Sequence, residues 1–186
     1  FPYFDLFKHT LPFLKSTKTI VTIHDVIPLE FPDHYPPGLR GWFNFQLQKQ
    51  AISGVERVIT DSYASVKSIH KFLGVPHEKL KLIYLAADEI FKKVAKPKNK
   101  FNLPKKFVLY VGDINYNKNI PNLISACKLI GLPLVIVGQQ ALSLDSLDLS
   151  HPELRHLQNL DWSNVVRLGF IDDLVESYID YGAALV

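Results

Sequence analysis

The chain contains no methionine and begins at Phe1. An open reading frame needs an initiator, so the expectation is a processed, excised or incomplete piece of a longer protein. A single cysteine, Cys127, rules out an internal disulfide and fits a reducing, cytoplasmic setting. Cys127 falls on an apolar helical face, where a thiol packs as a small hydrophobe rather than serving as a nucleophile. No apolar run reaches the length of a membrane span, and no signal peptide opens the chain. HExxH, CxxC and GxSxG are all missing, which argues against a metalloprotease, a zinc site or an α/β-hydrolase. Neither GxGxxG nor a Walker A sequence occurs, so a simple dinucleotide or P-loop site is disfavoured.

With 47% hydrophobic and 21% charged residues in 186, the chain is globular and holds one domain or two small ones. The net charge of +3 is uneven: residues 1–100 carry 15 Lys/Arg against 9 Asp/Glu, and residues 101–186 carry 6 against 9. Lys92, Lys93, Lys96, Lys98 and Lys100 surround Pro97. With no aromatic platform beside them they fit a solvated linker better than a nucleic-acid site. The expected organisation is a first domain over 1–91, a basic linker over 92–105 and a second domain over 106–186.

The stretch that organises the chain is 107–130. Phe107 to Val111 is a short β-branched and aromatic run closed by Gly112, which predicts a buried strand. Ile120, Leu123, Ile124 and Cys127 then fall at i, i+3, i+4 and i+7, one face of a helix, with Gly131 and Pro133 as stop signals. Leu134 to Val137 is a second buried strand closed by Gly138. Such a β-loop-α-β unit places its loop on the edge where open α/β sheets bind ligands. Lys118 sits where the helix begins, electrostatically the wrong end for a cation. A bound phosphate would satisfy the helix N-terminus and the lysine together. A solvated lysine in a polar loop is the plainer alternative.

Elsewhere the strand signals are Thr19–Ile23, Val58–Thr60, Leu80–Leu85, Val165–Leu168 and the terminal Ala183–Val186. Trp42–Ile52 predicts a helix with mixed faces. Asp61 or Ser62 is expected to cap a helix with Val66, Ile69 and Leu73 on one face and Gly74 at its end. Asp172 is expected to cap another. Residues 28–37, with four prolines, and 139–150, rich in serine and aspartate, are expected as loops, and Pro152–Asn159 as a short helix. Residues 1–18 mix Phe1, Phe4, Phe7 and Phe13 with Lys8, Lys15 and Lys18. Such an edge can touch a membrane surface or pack as a loop on a core. Strands alternate with helices throughout, so the class is α/β with mainly parallel sheets in two halves.

His24-Asp25 follows a buried strand, where a histidine can exchange a proton with a hydroxyl substrate or simply be structural. His9, His34, His70, His77, His151 and His156 show no metal-ligand spacing and read as surface residues. Gly112, Gly138 and Gly169 each end a strand in the second half, and three such turns on one edge suit a long ligand such as a nucleotide diphosphate.

These segments resemble family 4 (group 1) glycosyltransferases. Thr22-Ile23-His24-Asp25-Val26-Ile27-Pro28 resembles a segment ending in His-Asp-x-x-Pro, and Ile59 to Ser65 the (Val/Ile)-x-x-Ser-x-x-Ser helix start. Leu82 to Asp88 is similar to the step that closes the first domain, with Ala86 where glycine is usual. Tyr110-Val111-Gly112, Lys118-Asn119-Ile120, Ile136-Val137-Gly138 and Leu168-Gly169-Phe170-Ile171 match the second domain in order. The resemblance implies a GT-B fold: two Rossmann-like domains facing a cleft, with acceptor held by the first and sugar nucleotide by the second. It implies transfer of a sugar from a nucleotide diphosphate to an acceptor hydroxyl with retention and no required metal or other cofactor. Lys118 would neutralise the leaving diphosphate, Gly112, Asp113, Asn117, Gly138 and Gly169 would surround the donor, and Phe170 and Ile171 would lie beside the base. His24 would contact the sugar or position the acceptor, with Asp25 and Ser62 on the acceptor side.

Partners implied are a sugar nucleotide and a glycan or lipid-linked acceptor, with no nucleic acid. Contact with the inner face of a membrane is compatible with the basic aromatic edge. Many family members carry arginine where Asp113 and Asn117 stand here, so phosphate binding falls to Lys118. The family's Glu-x7-Glu segment, and the first strand and glycine-rich loop of its acceptor domain, lie outside this sequence. Both halves are therefore expected to be truncated and to self-associate through open sheet edges, and the chain alone to be nearly inactive. The alternatives are a non-catalytic nucleotide-binding or assembly module of the same fold, and a sugar-nucleotide epimerase. The His-Asp-x-x-Pro and Lys-Asn motifs speak against the epimerase.

Overall fold

In a computed structural model, residues 4–12, 17–88, 101–169, 171 and 184–185 are described, and they form two compact units that divide between Ala86 and Ala87. Unit 1 is built on β1 (Ile20–Thr22), β2 (Arg57–Thr60) and β3 (Leu80–Leu82), a parallel sheet in the order β1-β2-β3. Between them run α1 (Ile27–Glu30), α2 (Gly38–Ser53) and α3 (Tyr63–Leu73). Val21, Val58 and Leu80 lie buried with Ile52 of α2 and Ile69 and Leu73 of α3. This is the helix-on-parallel-sheet packing that a β-α-β chain requires to cover its apolar strands.

Two boundaries in unit 1 follow from local chemistry. Ser62 accepts the Ser65 amide at 3.0 Å and so caps α3, and Gly74 ends the helix in the left-handed conformation at φ 70°. The proline-rich stretch expected as a loop instead opens with α1, because Pro28 stands in its first turn, where a missing N–H costs nothing. α2 starts four residues before the expected Trp42, and β3 stops three short of Leu85.

The mixed faces of α2 have a purpose. Gln48 is 1% exposed, and its amide oxygen accepts from Leu11 N at 3.1 Å. Asn44, one turn earlier, donates to Phe7 O at 3.0 Å. This i, i+4 pair ties residues 7–11 down on the helix. Leu6 and Leu11 are buried, with Phe4 and Phe7 packed against the unit 1 core. The aromatic opening segment, over its described residues, is thus packed on the core.

Unit 2 contains β4 (Val108–Val111), α4 (Ile120–Leu129), β5 (Leu134–Val137), α5 (Gln139–Leu142), β6 (Val165–Leu168) and β7 (Ala184–Leu185). Its sheet is parallel, in the order β6-β5-β4-β7. All four residues of β5 are buried. Leu134 and Ile136 join Ile120, Ile124 and Cys127 on one face, while Val135 and Val137 join Leu103, Phe107 and Leu109 on the other. That alternation is the two-residue period of a strand covered on both sides. Cys127 packs in this core, and burial pushes its thiol pKa up, which makes it a poor nucleophile.

The 139–150 segment is not an open loop. α5 and a 3-10 turn at Leu144–Ser146 bury Ala141 and Leu144, and Arg167 of β6 reaches Ala141 O at 3.5 Å and Asp145 at 3.2 Å. Over 152–159 only the 3-10 turn Arg155–Leu157 forms. The lysine cluster of 92–100 and the helix expected after Asp172 lie outside the described residues. Among the described residues no helix is long and apolar enough to cross a membrane.

Candidate functional site

In unit 1, β1 and β2 are adjacent and parallel, with Thr22 opposite Ile59. The residues two positions beyond each, His24 and Asp61, therefore emerge at one carboxyl edge. His24 Nδ1 lies 2.8 Å from Asp61 Oδ2. The backbone beneath is fixed as well: Ile23 N donates to Ile59 O at 2.9 Å and Thr60 Oγ1 to His24 O at 3.3 Å. The His24 side chain is 58% exposed and that of Asp61 21%. Asp61 is the functional candidate that sequence reasoning passed over, considered only as a helix cap. The signal was its place at the end of the strand next to the one that carries His24.

His24 lines a pocket of about 390 Å³ together with Phe4, Asp5, Leu6, Phe7, Asp25 and Pro28. Asp25 does not touch His24 by any described hydrogen bond; its Oδ1 accepts from Ile27 N at 3.0 Å and so opens α1. Ser62 is occupied as the α3 cap, and its hydroxyl donates to Ser65 Oγ at 2.8 Å. Of the acceptor-side candidates, then, His24 and Asp25 share a pocket wall and Ser62 serves the helix.

In unit 2 the strand register sets Val111, Val137 and Leu168 side by side, so that Gly112, Gly138 and Gly169 succeed them along one carboxyl edge. Gly112 N donates to Val137 O at 2.9 Å and Gly138 N to Leu168 O at 3.0 Å. Gly112 has φ +136°, a conformation side chains disfavour, and a Cβ on Gly138 would collide with the Gly112 carbonyl oxygen. The edge is thus floored by main chain, a surface that a ligand can approach closely.

The loop after Gly112 is held from within. The Tyr110 hydroxyl donates to Asp113 O at 2.6 Å, and Gln140 Oε1 accepts from Ile114 N at 2.9 Å, with Ile114 fully buried. Burial, then the Asp113 charge, push the Tyr110 pKa up to about 12. Lys118 does not begin α4, as expected from sequence. It ends a 3-10 turn, Tyr116–Lys118, and Asn119 at φ 53° stands between them as the helix N-cap with no side-chain cap bond. Lys118 is exposed, and its amide donates to Asn115 O at 2.9 Å. Asn117 lies half-buried in the same turn, and Asp113 is exposed.

Tyr116 N donates to Glu153 O at 3.1 Å, which brings an acidic side chain to the loop. The Glu153 carboxyl is held above its usual value by burial; His151 opposes this and Asp113 adds to it. His156, read as a surface residue, instead packs edge-on against Tyr116 with its ring nitrogens shielded from solvent. Ile171 packs with Val166 and Leu168 on the sheet face of Leu109 and Val137. Phe170 lies outside the described residues. Among the described residues no group of three or more His, Cys, Asp or Glu is placed to hold a metal ion.

No protein-family model and no curated protein matches the chain. Among solved structures it is similar to sucrose-phosphate synthase from Thermosynechococcus elongatus, with a TM-score of 0.59 and 20% identity. The match covers 87% of this chain and 41% of that one, so the chain spans less than half the length of the structure it resembles. What the likeness establishes is the fold, α/β and GT-B-like, with two Rossmann-like halves.

Proposed function

We propose that the chain is the part of a glycosyltransferase that binds a nucleotide-diphosphate sugar on unit 2 and a hydroxyl acceptor on unit 1. The observation that carries this is the row of three glycines at the carboxyl ends of β4, β5 and β6, with a cation, Lys118, in the loop that leaves the first of them. A main-chain floor admits a diphosphate at close range, and Lys118 supplies the charge it needs. In the reaction the acceptor oxygen bonds to the anomeric carbon while the bond from that carbon to the diphosphate breaks. The electron pair goes to the diphosphate, whose growing charge Lys118 offsets, and the hydroxyl proton leaves with it. Retention at the anomeric carbon, and a glycan or lipid-linked acceptor, belong to the same proposal through the family resemblance. So does a cytoplasmic site of action.

A second reading is a nucleotide-binding module without catalysis, and one observation favours it. Asp113 and Asn117 stand where many family members carry arginine, and the Glu153 carboxyl lies near Asp113, so the loop lacks a second cation to offset a leaving diphosphate. Calorimetric titration of the chain with UDP, GDP and their sugar conjugates, repeated on Lys118→Ala, tests the donor site. One base should bind, and the variant should lose about 1–3 kcal/mol of affinity, the worth of a charged hydrogen bond. A folded chain that binds none of them contradicts the proposal. Release of the nucleotide from a bound sugar conjugate once the downstream sequence is added back, or its continued absence there, separates the enzyme from the module.

A further inference from the structure

We propose that Asp61 is a positioning residue for His24: it fixes a proton on Nδ1 and keeps Nε2 as the hydrogen-bond acceptor that the pocket offers to a ligand hydroxyl. A carboxylate only accepts hydrogen bonds, so the 2.8 Å contact requires Nδ1 to carry the proton. In the neutral imidazole this leaves Nε2 as the bare nitrogen. A histidine without such a partner would exchange tautomers and present an acceptor and a donor in turn.

Three features make Asp61 suited to the role. Its side chain is largely covered while that of His24 is open to the pocket. Ser62, not Asp61, caps α3, so the carboxylate is not used by the helix. The capped helix and the β1–β2 hydrogen bonds hold the backbone on both sides of the contact. Among the described residues His24 is its hydrogen-bond partner.

The rest of the pocket states what ligand it suits. Phe4 and Phe7 are apolar walls, Asp25 is a carboxylate with one oxygen on the Ile27 amide, and Nε2 is a further acceptor; Asp5 is taken up by the Phe7 and Lys8 amides and the Lys8 ammonium. Such a lining takes an uncharged ring with hydroxyl donors, and the Asp25 charge disfavours an anion. That the ligand is a sugar acceptor rests on the glycosyltransferase proposal; the tautomer assignment does not.

The test is long-range proton–nitrogen spectroscopy of the 15N-labelled 186-residue chain, at a pH where the neutral imidazole is seen, followed by titration with methyl glucoside and with glucuronate. His24 should show a protonated Nδ1 and a bare Nε2, and Asp61→Asn, whose amide can donate or accept, should populate both tautomers. Methyl glucoside should shift the Nε2 resonance and glucuronate should not, with affinity about tenfold weaker in Asp61→Asn, the equivalent of one hydrogen bond. A wild-type His24 protonated on Nε2 alone overturns the inference without any variant. An unchanged tautomer in a folded Asp61→Asn overturns it too. A fixed Nδ1 proton with no response to methyl glucoside leaves the Asp61 role standing and contradicts the sugar pocket.

Discussion

At the carboxyl edge of β1 and β2 the chain places side chains that touch one another; at the edge of β4, β5 and β6 it places glycines. In unit 1 the contact is His24 to Asp61, and a pocket of aromatic and acidic residues lies beside it. In unit 2 the floor is the main chain of Gly112, Gly138 and Gly169, and a cation, Lys118, stands further along the loop. The same parallel-sheet geometry thus produces two kinds of surface. On the proposed function, the first recognises hydroxyls by direction and the second admits a charged ligand at close range. A side chain at Gly138 would erase the second surface, and a lost carboxylate at Asp61 would blur the first.

The sharpest way to break this contrast is Gly138→Ala. Its Cβ meets a backbone oxygen rather than a flexible side chain, so the strand end must shift, at a cost of about 3 kcal/mol. Urea denaturation should show that loss, and nucleotide binding should disappear with it. On the unit 1 side, Gln48→Ala leaves the buried Leu11 N–H without its acceptor and should cost about 2 kcal/mol. Faster hydrogen exchange in residues 7–11 would locate the effect in the pocket wall. Ser62→Ala removes only a cap and should cost about 1 kcal/mol, with the His24–Asp61 contact retained. An equal loss from Ser62→Ala and Gln48→Ala would mean that the segment is not held as described.

Tyr110 gives the smallest effect at neutral pH and a clear one in alkali. Its folded pKa, about 12, lies above the ordinary phenol value of 10.0, so folding favours the protonated phenol. The stabilisation is complete below pH 10 and is lost as pH rises from about 10 to about 12, because the unfolded chain gives up its proton first. The urea midpoint should fall across that window, and Tyr110→Phe should remove this part of the fall.

How much of this is legible in the sequence depends on how local the cause is. β5 and β6 match the expected Leu134–Val137 and Val165–Leu168, and β4 differs by one residue, because a short apolar run ending in glycine has few other uses. The α3 cap and its Gly74 stop are equally local. The His24–Asp61 contact spans 37 residues and depends on strand order, which no local pattern states. α5 was hidden by serines and aspartates, although Ala141 and Leu144 carry the apolar spacing that buries it. Gln48 anchors Leu11 across 37 residues, a contact that the mixed faces of the predicted helix do not state.

The most direct test of the central claim is amide chemical-shift mapping of the 15N-labelled chain with the nucleoside diphosphate that binds it. The account predicts that the amides of Gly112, Gly138 and Gly169 and of the Lys118 turn move, while those of His24, Asp61 and Ser62 do not. Shifts centred on the His24 pocket, or none at the three glycines, would contradict it.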